Sequence, residues 1–150
     1  KLAGEPAWAA EAADLDALLA IESRFSGDRL SRRAFRHHLA SDRAVIFVEE
    51  TDAGVAGYAL LLRRRDSRWW RLYSLARAVG ASPGTGGRLL EASIAAARAA
   101  DAAGLRLEVR ADNTAALRLY ERCGFRLFET RDGYYEDGAR ALRLALVLAA

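Results

Sequence analysis

One stretch limits what this chain can fold into. Trp69-Trp70-Arg71-Leu72-Tyr73-Ser74-Leu75-Ala76-Arg77 is apolar and aromatic. After Ala78 to Pro83 comes Gly84-Thr85-Gly86-Gly87-Arg88-Leu89-Leu90. The pattern predicts a strand, a glycine turn and the start of a long helix. A helix N-terminus leaves its first N–H groups without intrahelical partners and carries the positive end of the macrodipole. Glycines there let a ligand approach the backbone, so the turn suits a phosphate. A P-loop needs Lys and Ser or Thr after its last glycine, but Arg88 and Leu89 follow Gly87. A Rossmann fingerprint needs a third glycine where Leu89 stands, although Glu108 lies at a suitable distance for a ribose ligand. Two readings remain open at this point: a pyrophosphate site built from backbone N–H groups, and a plain strand-to-helix connection.

A chain of 150 residues is expected to form one domain, 1–150, with a real core. With 52% apolar and 29% charged residues it is neither disordered nor fibrous. Its apolar runs, such as Val55 to Leu62, are too short to span a bilayer, so no membrane partner is expected. The first residues carry Glu5 and no long apolar segment, so no secretory leader is expected. The single cysteine, Cys123, excludes an internal disulfide and fits a cytoplasmic location. Net charge is +3, carried almost wholly by arginine, since Lys1 is the only lysine. That balance suits an acidic ligand such as a nucleotide diphosphate but is too weak to argue for nucleic acid. Arg63-Arg64-Arg65 and Arg68 are expected at a solvated hairpin tip.

In chain order, residues 5–9 read as a short first strand. Asp14 can cap a helix carrying Leu15, Leu18, Leu19 and Ile21, and Ser26-Gly27-Asp28 breaks it. Ser31 starts a second helix with Phe35 and Leu39. His37 and His38 lie there among arginines and, being adjacent, point apart, so no metal site is expected. Ala44–Glu50, Val55–Arg64 and Trp69–Arg77 are joined by short turns and predict an antiparallel meander. A helix from about Gly87 to Ala103, stopped at Gly104, leads to Leu105–Arg110, whose alternation predicts a strand. This strand–helix–strand unit is a right-handed crossover, so its two strands are expected to run parallel. Asp112-Asn113 caps a short helix that Gly124 ends. Phe125–Arg131 and Arg140–Leu148 close the chain as strands around a Tyr134-Tyr135-Glu136-Asp137-Gly138 loop.

Three blocks resemble the GNAT superfamily of acyl-CoA-dependent N-acetyltransferases. They are Leu72–Ala76 with Gly84-Thr85-Gly86; Leu107-Glu108-Val109-Arg110-Ala111-Asp112-Asn113; and Ala116 through Tyr120 to Cys123-Gly124-Phe125. The second and third, with the Tyr134–Gly138 loop, look most like the ribosomal-protein-alanine N-acetyltransferase branch. The resemblance implies a single-domain α/β (α+β) fold. Its mixed, mostly antiparallel sheet would have six to seven strands and about four flanking helices, and would be splayed between its two central parallel strands.

Acetyl-CoA, the implied acyl donor, would lie in that opening. The resemblance puts its pyrophosphate against the N–H groups of the turn formed by Ser82, Pro83, Gly84, Thr85, Gly86, Gly87 and Arg88 (Pro83 itself having none), its pantetheine along Leu75, Ala76 and Arg77, and Asn113 on the far side. The chain departs from the pattern at Ala81, where the family has arginine or glutamine, and its loop is one residue shorter. Weaker binding is expected, with Arg88 or Arg77 able to supply the missing charge.

The same resemblance makes Glu108 the base for the acceptor ammonium and Tyr120 the acid for the leaving thiolate. A backbone N–H near Ala76 would polarise the carbonyl. Without the family, Glu108 between Arg106 and Arg110 reads as a solvated salt-bridge ladder, Tyr120 as core packing and Cys123 as packing at a helix end. Tyr134 and Tyr135 either line the acceptor groove or cover the sheet edge. The expected acceptor is the N-terminal α-amine of a protein or peptide, a ribosomal protein being one candidate, used by direct attack in a ternary complex. The alternatives are a small amine acceptor and a catalytically silent CoA-binding domain. The expected state is a monomer or weak dimer.

Overall fold

The computed structural model describes residues 8–23 and 29–149. The chain order is β1 (Trp8–Ala9), a 3-10 turn (Ala12–Asp14), α1 (Leu15–Glu22), α2 (Arg32–Ala40), β2 (Ala44–Thr51), β3 (Gly54–Leu62), β4 (Trp69–Arg77), α3 (Thr85–Ala99), β5 (Gly104–Arg110), α4 (Thr114–Arg122), β6 (Arg126–Arg131) and β7 (Ala141–Val147). The strands form one seven-stranded sheet in the order β1-β2-β3-β4-β5-β7-β6. Every neighbouring pair is antiparallel except β4 and β5, which are parallel. This is the mixed, mostly antiparallel α/β fold that the sequence implies. Residues 5–7 of the expected first strand lie outside the described residues, as do 24–28 of the loop before α2.

Helices cover both faces. Leu18, Ile21 and Phe35 from α1 and α2 pack on Ile46, Val48, Tyr58 and Leu60. Leu89, Leu90 and Ala97 from α3 pack on Ala59, Leu61, Trp70, Leu72, Leu105 and Leu107. Burial on two faces explains why β3 is apolar without alternation. Two helices, α2 and α4, begin where a side chain accepts from a first-turn N–H group. Ser31 Oγ accepts from Ala34 N–H at 3.1 Å, and Asn113 Oδ1 accepts from Ala116 N–H at 3.1 Å.

The feature that makes a site is the brevity of the β4–β5 pairing. Only Trp69↔Gly104, Trp70↔Leu105 and Arg71↔Arg106 face each other. Beyond them β4 stays paired with β3 as far as Arg77, and β5 stays paired with β7 as far as Arg110, so the two central strands diverge. A bulge sits where they part: Leu61 pairs with Leu72 and Leu60 with Ser74, leaving Tyr73 as the extra residue. Bulges bend a strand and raise its local twist.

Two boundaries differ from the sequence reading. The α3 helix starts at Thr85 and ends at Ala99. The left-handed residue after it is Asp101 (φ 57°), while Gly104 already belongs to β5. Gly104 is required by contact instead. A Cβ there would strike the Leu146 carbonyl oxygen and approach the Trp69 ring to 2.5 Å, closing the narrow end of the β4–β5 junction. No described helix is long and apolar enough to cross a membrane.

Candidate active site

Where β4 and β5 separate they wall a cavity of about 740 Å³. Arg71 to Leu75 line one side and Glu108 to Arg110 the other. Asn113, Ala116 and Tyr120 of α4 close the far side, Tyr134 to Asp137 the mouth, and Glu22 and Leu30 the end nearest α1. Glu108, Tyr120, Leu75, Asn113, Tyr134 and Tyr135 are thus brought into one space from five separate places in the chain.

Glu108 is not the solvated ladder residue that its strand neighbours suggest. Its side chain is only 8% exposed, and its ion pairs reach across strands rather than along β5. Arg71 of β4 holds Oε1, and Arg143 of β7 donates from Nε to Oε2 at 3.2 Å. The neighbours are engaged elsewhere: Arg106 lies over the Trp69 ring, and Arg110 pairs with Asp137 at 2.8 Å and with Asp112 at 3.2 Å. Glu108 is therefore a fixed anionic centre at the fork, tying together the three strands that diverge around it.

Tyr120 is buried, edge-on to Phe125 with ring centroids 5.5 Å apart, yet it lines the cavity. Burial, with a smaller contribution from Tyr135, pushes its phenol well above the usual tyrosine value. It is thus held protonated, as a proton donor must be.

The loop at the start of α3 is tighter than the sequence suggests. Thr85 N–H donates to the Ser82 carbonyl at 3.0 Å, Gly84 N–H to Ser82 Oγ at 3.2 Å, and Arg88 N–H to the Gly84 carbonyl at 3.0 Å. Pro83 has no N–H. No hydrogen bond within the described residues takes up the N–H groups of Gly86 and Gly87, which leaves these two to receive an anion. Thr85 is fully buried and donates from its hydroxyl to Glu49 Oε1 at 2.8 Å. The Arg88 guanidinium grips the same carboxylate with both Nε and Nη2, at 2.5 and 2.9 Å. These bonds hold the Glu49 carboxyl below its ordinary value against the opposing effect of burial. Arg88 therefore fastens the helix to β2 and does not offer a free charge to a phosphate. Ala76 and Arg77 continue β4 beyond the cavity toward this loop, with Ala76 buried and Arg77 exposed.

Three features escaped the sequence reading. Glu22, at the last turn of α1, is 4% exposed and lines the cavity. It accepts from the Tyr58 hydroxyl and, at Oε2, from Leu30 N–H at 2.8 Å, and it has no cationic partner among the described residues. The Tyr58 hydroxyl also meets Ser74 Oγ at 2.8 Å, linking Glu22 to the strand that carries the bulge. Arg71 joins Glu108 to the mouth, donating to the Tyr134 hydroxyl at 3.3 Å, and its Nε is buried with no hydrogen-bond partner among the described residues. Only the position of Glu22 at a helix end could have flagged it, because its partners are 8 and 36 residues away.

Comparison with known proteins agrees with this geometry. The model of the acetyltransferase (GNAT) family matches residues 13–125. An N-alpha-acetyltransferase of Sulfurisphaera tokodaii is 29% identical over 149 residues, covering 90% of this chain and 88% of that protein. The ribosomal-protein-S18-alanine N-acetyltransferase of Escherichia coli superposes with a TM-score of 0.85 at 30% identity, covering 96% of this chain and 94% of the other. The structure of the NatC complex bound to Gag peptide and CoA contains a chain with the same fold, with a TM-score of 0.80 at 21% identity over 95% and 98% of the two chains. A forked β4–β5 pair with an open helix N-terminus beside it, and a family match over most of the chain, place this protein in the GNAT family of N-acetyltransferases.

Proposed function

We propose that the chain transfers an acetyl group from acetyl-CoA to the N-terminal α-amine of a protein or peptide. The observation that carries this reading is the cavity at the β4–β5 fork, which gathers a protonated phenol, two buried carboxylates and an unpaired strand edge in one place. The fit to acetyl-CoA rests on Gly86 and Gly87, whose N–H groups no hydrogen bond among the described residues takes up, and on Leu75 and Ala76, which lie on β4 beyond its three positions of pairing with β5 and offer that edge to the pantetheine amides, with Arg77 continuing the strand. Bound there, acetyl-CoA supplies the activated acyl group.

The residues then divide the work. Glu22 is a buried carboxylate satisfied by neutral donors, so an ammonium entering the cavity brings the counter-charge it lacks. Glu108 already holds two guanidiniums. It serves the amine through the electron pairs left on its oxygens, orienting the water that carries the ammonium proton away. A backbone N–H near Ala76 polarises the thioester carbonyl. Tyr120 delivers its proton to the departing sulfur. Tyr134 and Tyr135 pack edge-on at 5.0 Å and are tied to the walls through Arg71 and Arg110, so the acceptor enters beside them.

The names of the relatives support an α-amine over a small amine acceptor. The test is to incubate the enzyme and acetyl-CoA with peptides of varied first residue, in parallel with free amino acids and polyamines, and to read acetylation by mass spectrometry. The proposal expects peptide N-termini to be modified with kcat/KM at least roughly tenfold above any small amine, a difference of about 1.4 kcal/mol in transition-state binding. Turnover confined to small amines would overturn the acceptor assignment, and no turnover would overturn the activity.

A further inference from the structure

The structure holds a second concavity, of about 570 Å³, at the opposite end of β4 from the active site. The sequence reading placed Arg63, Arg64, Arg65 and Arg68 on a solvated tip. In the fold they do not project singly. They meet Arg43, just before β2, and the residues after α3, so five arginines from two separate segments line one depression with Asp42 and Asp101. Crowding like charges destabilises a fold unless something offsets it.

The partners of these arginines are on the page. Arg64 pairs with Asp66 at 3.5 Å, a contact between exposed side chains. Arg68 donates to the Asp101 carbonyl at 2.8 Å, and Ala103 N–H donates back to the Arg68 carbonyl at 2.8 Å, so this wall is fixed to the β4 entry. Arg63 is stacked on Trp70, with its guanidinium carbon 4.8 Å from the ring centroid, while Trp70 itself is buried. Arg63 N–H is also bonded to the Arg43 carbonyl at 2.8 Å. Arg43, Arg63 and Arg65 have no carboxylate partner among the described residues. One guanidinium is therefore pre-set on an aromatic floor, and two more stand beside it uncompensated. Planar guanidinium forks match phosphate oxygens two at a time, and a stacked guanidinium loses less freedom on binding.

We propose that this depression binds an oligophosphate: a run of linked phosphates presented by a free polyphosphate or nucleotide, or by the backbone of a nucleic acid strand. Several charges are needed because the arginines are spread across the depression. Trp70 is covered by Arg63, so recognition runs through phosphate rather than through base stacking. The site does not depend on the acetyl-transfer reading.

The experiment is calorimetric titration of the full chain with tripolyphosphate, a single-stranded RNA dodecamer and hexaglutamate. It is run on the wild type and on two variants, the double variant R43A/R63A and R65E. Arg65 is exposed, so R65E keeps the test valid if loss of the Trp70 stack perturbs folding. The expected result is wild-type binding of tripolyphosphate that weakens roughly tenfold for a fourfold rise in salt, as counterion release requires. Both variants should weaken it by about tenfold or more while acetyl-CoA binding stays within twofold, as a separate site requires. RNA binding tighter than tripolyphosphate supports the proposal and assigns the source as nucleic acid; the reverse order supports it and assigns a free polyphosphate. Hexaglutamate binding as tightly as either would overturn the phosphate assignment. Absence of phosphate binding, or binding unchanged in both variants, would overturn the site.

Discussion

At the residue scale the account rests on three side chains with different charge environments. In the proposed mechanism Tyr120 is the acid, so Tyr120→Phe should lower kcat by about a hundredfold with little change in acetyl-CoA affinity, measured by steady-state turnover and titration. Because burial raises the phenol above its ordinary value of 10.0, it stays protonated throughout the working range. The rate should therefore rise with amine deprotonation and hold to pH 10 rather than fall. An alkaline limb below that value that disappears in Tyr120→Phe would contradict the raised phenol value, and a Tyr120→Phe rate equal to wild type would contradict the role. Glu22→Gln should instead raise the acceptor KM about tenfold with kcat nearly unchanged, since it removes a charge contact to the ammonium. Glu108→Gln should lower kcat by about a hundredfold.

Glu108 and Tyr120 could be read from the sequence because the motif blocks around them are contiguous. Their environments could not. The arginines that hold Glu108 come from β4 and β7, and its adjacent Arg106 and Arg110 point to other partners. Glu22 stayed hidden because its burial depends on Tyr58, 36 residues on.

At the element scale, the approach of α3 to the sheet sets the phosphate loop. Gly57 sits under the first turn of α3. A Cβ there would lie 2.8 Å from the Ala76 carbonyl oxygen, 2.8 Å from Thr85 Cγ2 and 3.0 Å from Leu89 Cδ1. Gly57→Ala should therefore cost about 2 kcal/mol and lower Tm by roughly 6 °C in a thermal melt. It should also weaken acetyl-CoA binding, because it pushes the open N–H groups off the line of β4.

Glu49 fixes the same turn from β2, and its contribution has a defined pH window. Its folded-state carboxyl value lies below the ordinary 4.5, so the stabilisation is fully present above pH 4.5 and is lost as pH falls through the folded value. In urea unfolding, Glu49→Gln should be less stable than wild type by about 2 kcal/mol at neutral pH, with the gap narrowing as pH falls below the ordinary carboxyl value. The β2–β3–β4 meander and the parallel crossover to β5 were legible from alternation and turn residues, whereas the insertion of β7 between β5 and β6 was not. The fork was implied by the family resemblance and not by the pattern of the strands themselves: β4 and β5 read as ordinary strands, and the divergence comes from the bulge at Tyr73 and from pairing on their outer edges.

At the scale of the whole molecule, the sheet is a scaffold whose one defect is its function. Two antiparallel halves share three paired residues at the narrow end, closed by Trp69 against Gly104, and they open into a cavity large enough for a cofactor arm and an amine. In the loop before α3, with Ala81 near its start and Arg88 committed to Glu49, the proposed binding of phosphates falls to backbone N–H groups. The most direct test of this account is calorimetric titration of the folded protein with acetyl-CoA, beside free CoA. The account predicts a single site with micromolar affinity, about −8 kcal/mol. It also predicts that Gly57→Ala weakens the site and that Tyr120→Phe leaves it unchanged. A well-folded protein that binds neither compound would contradict it.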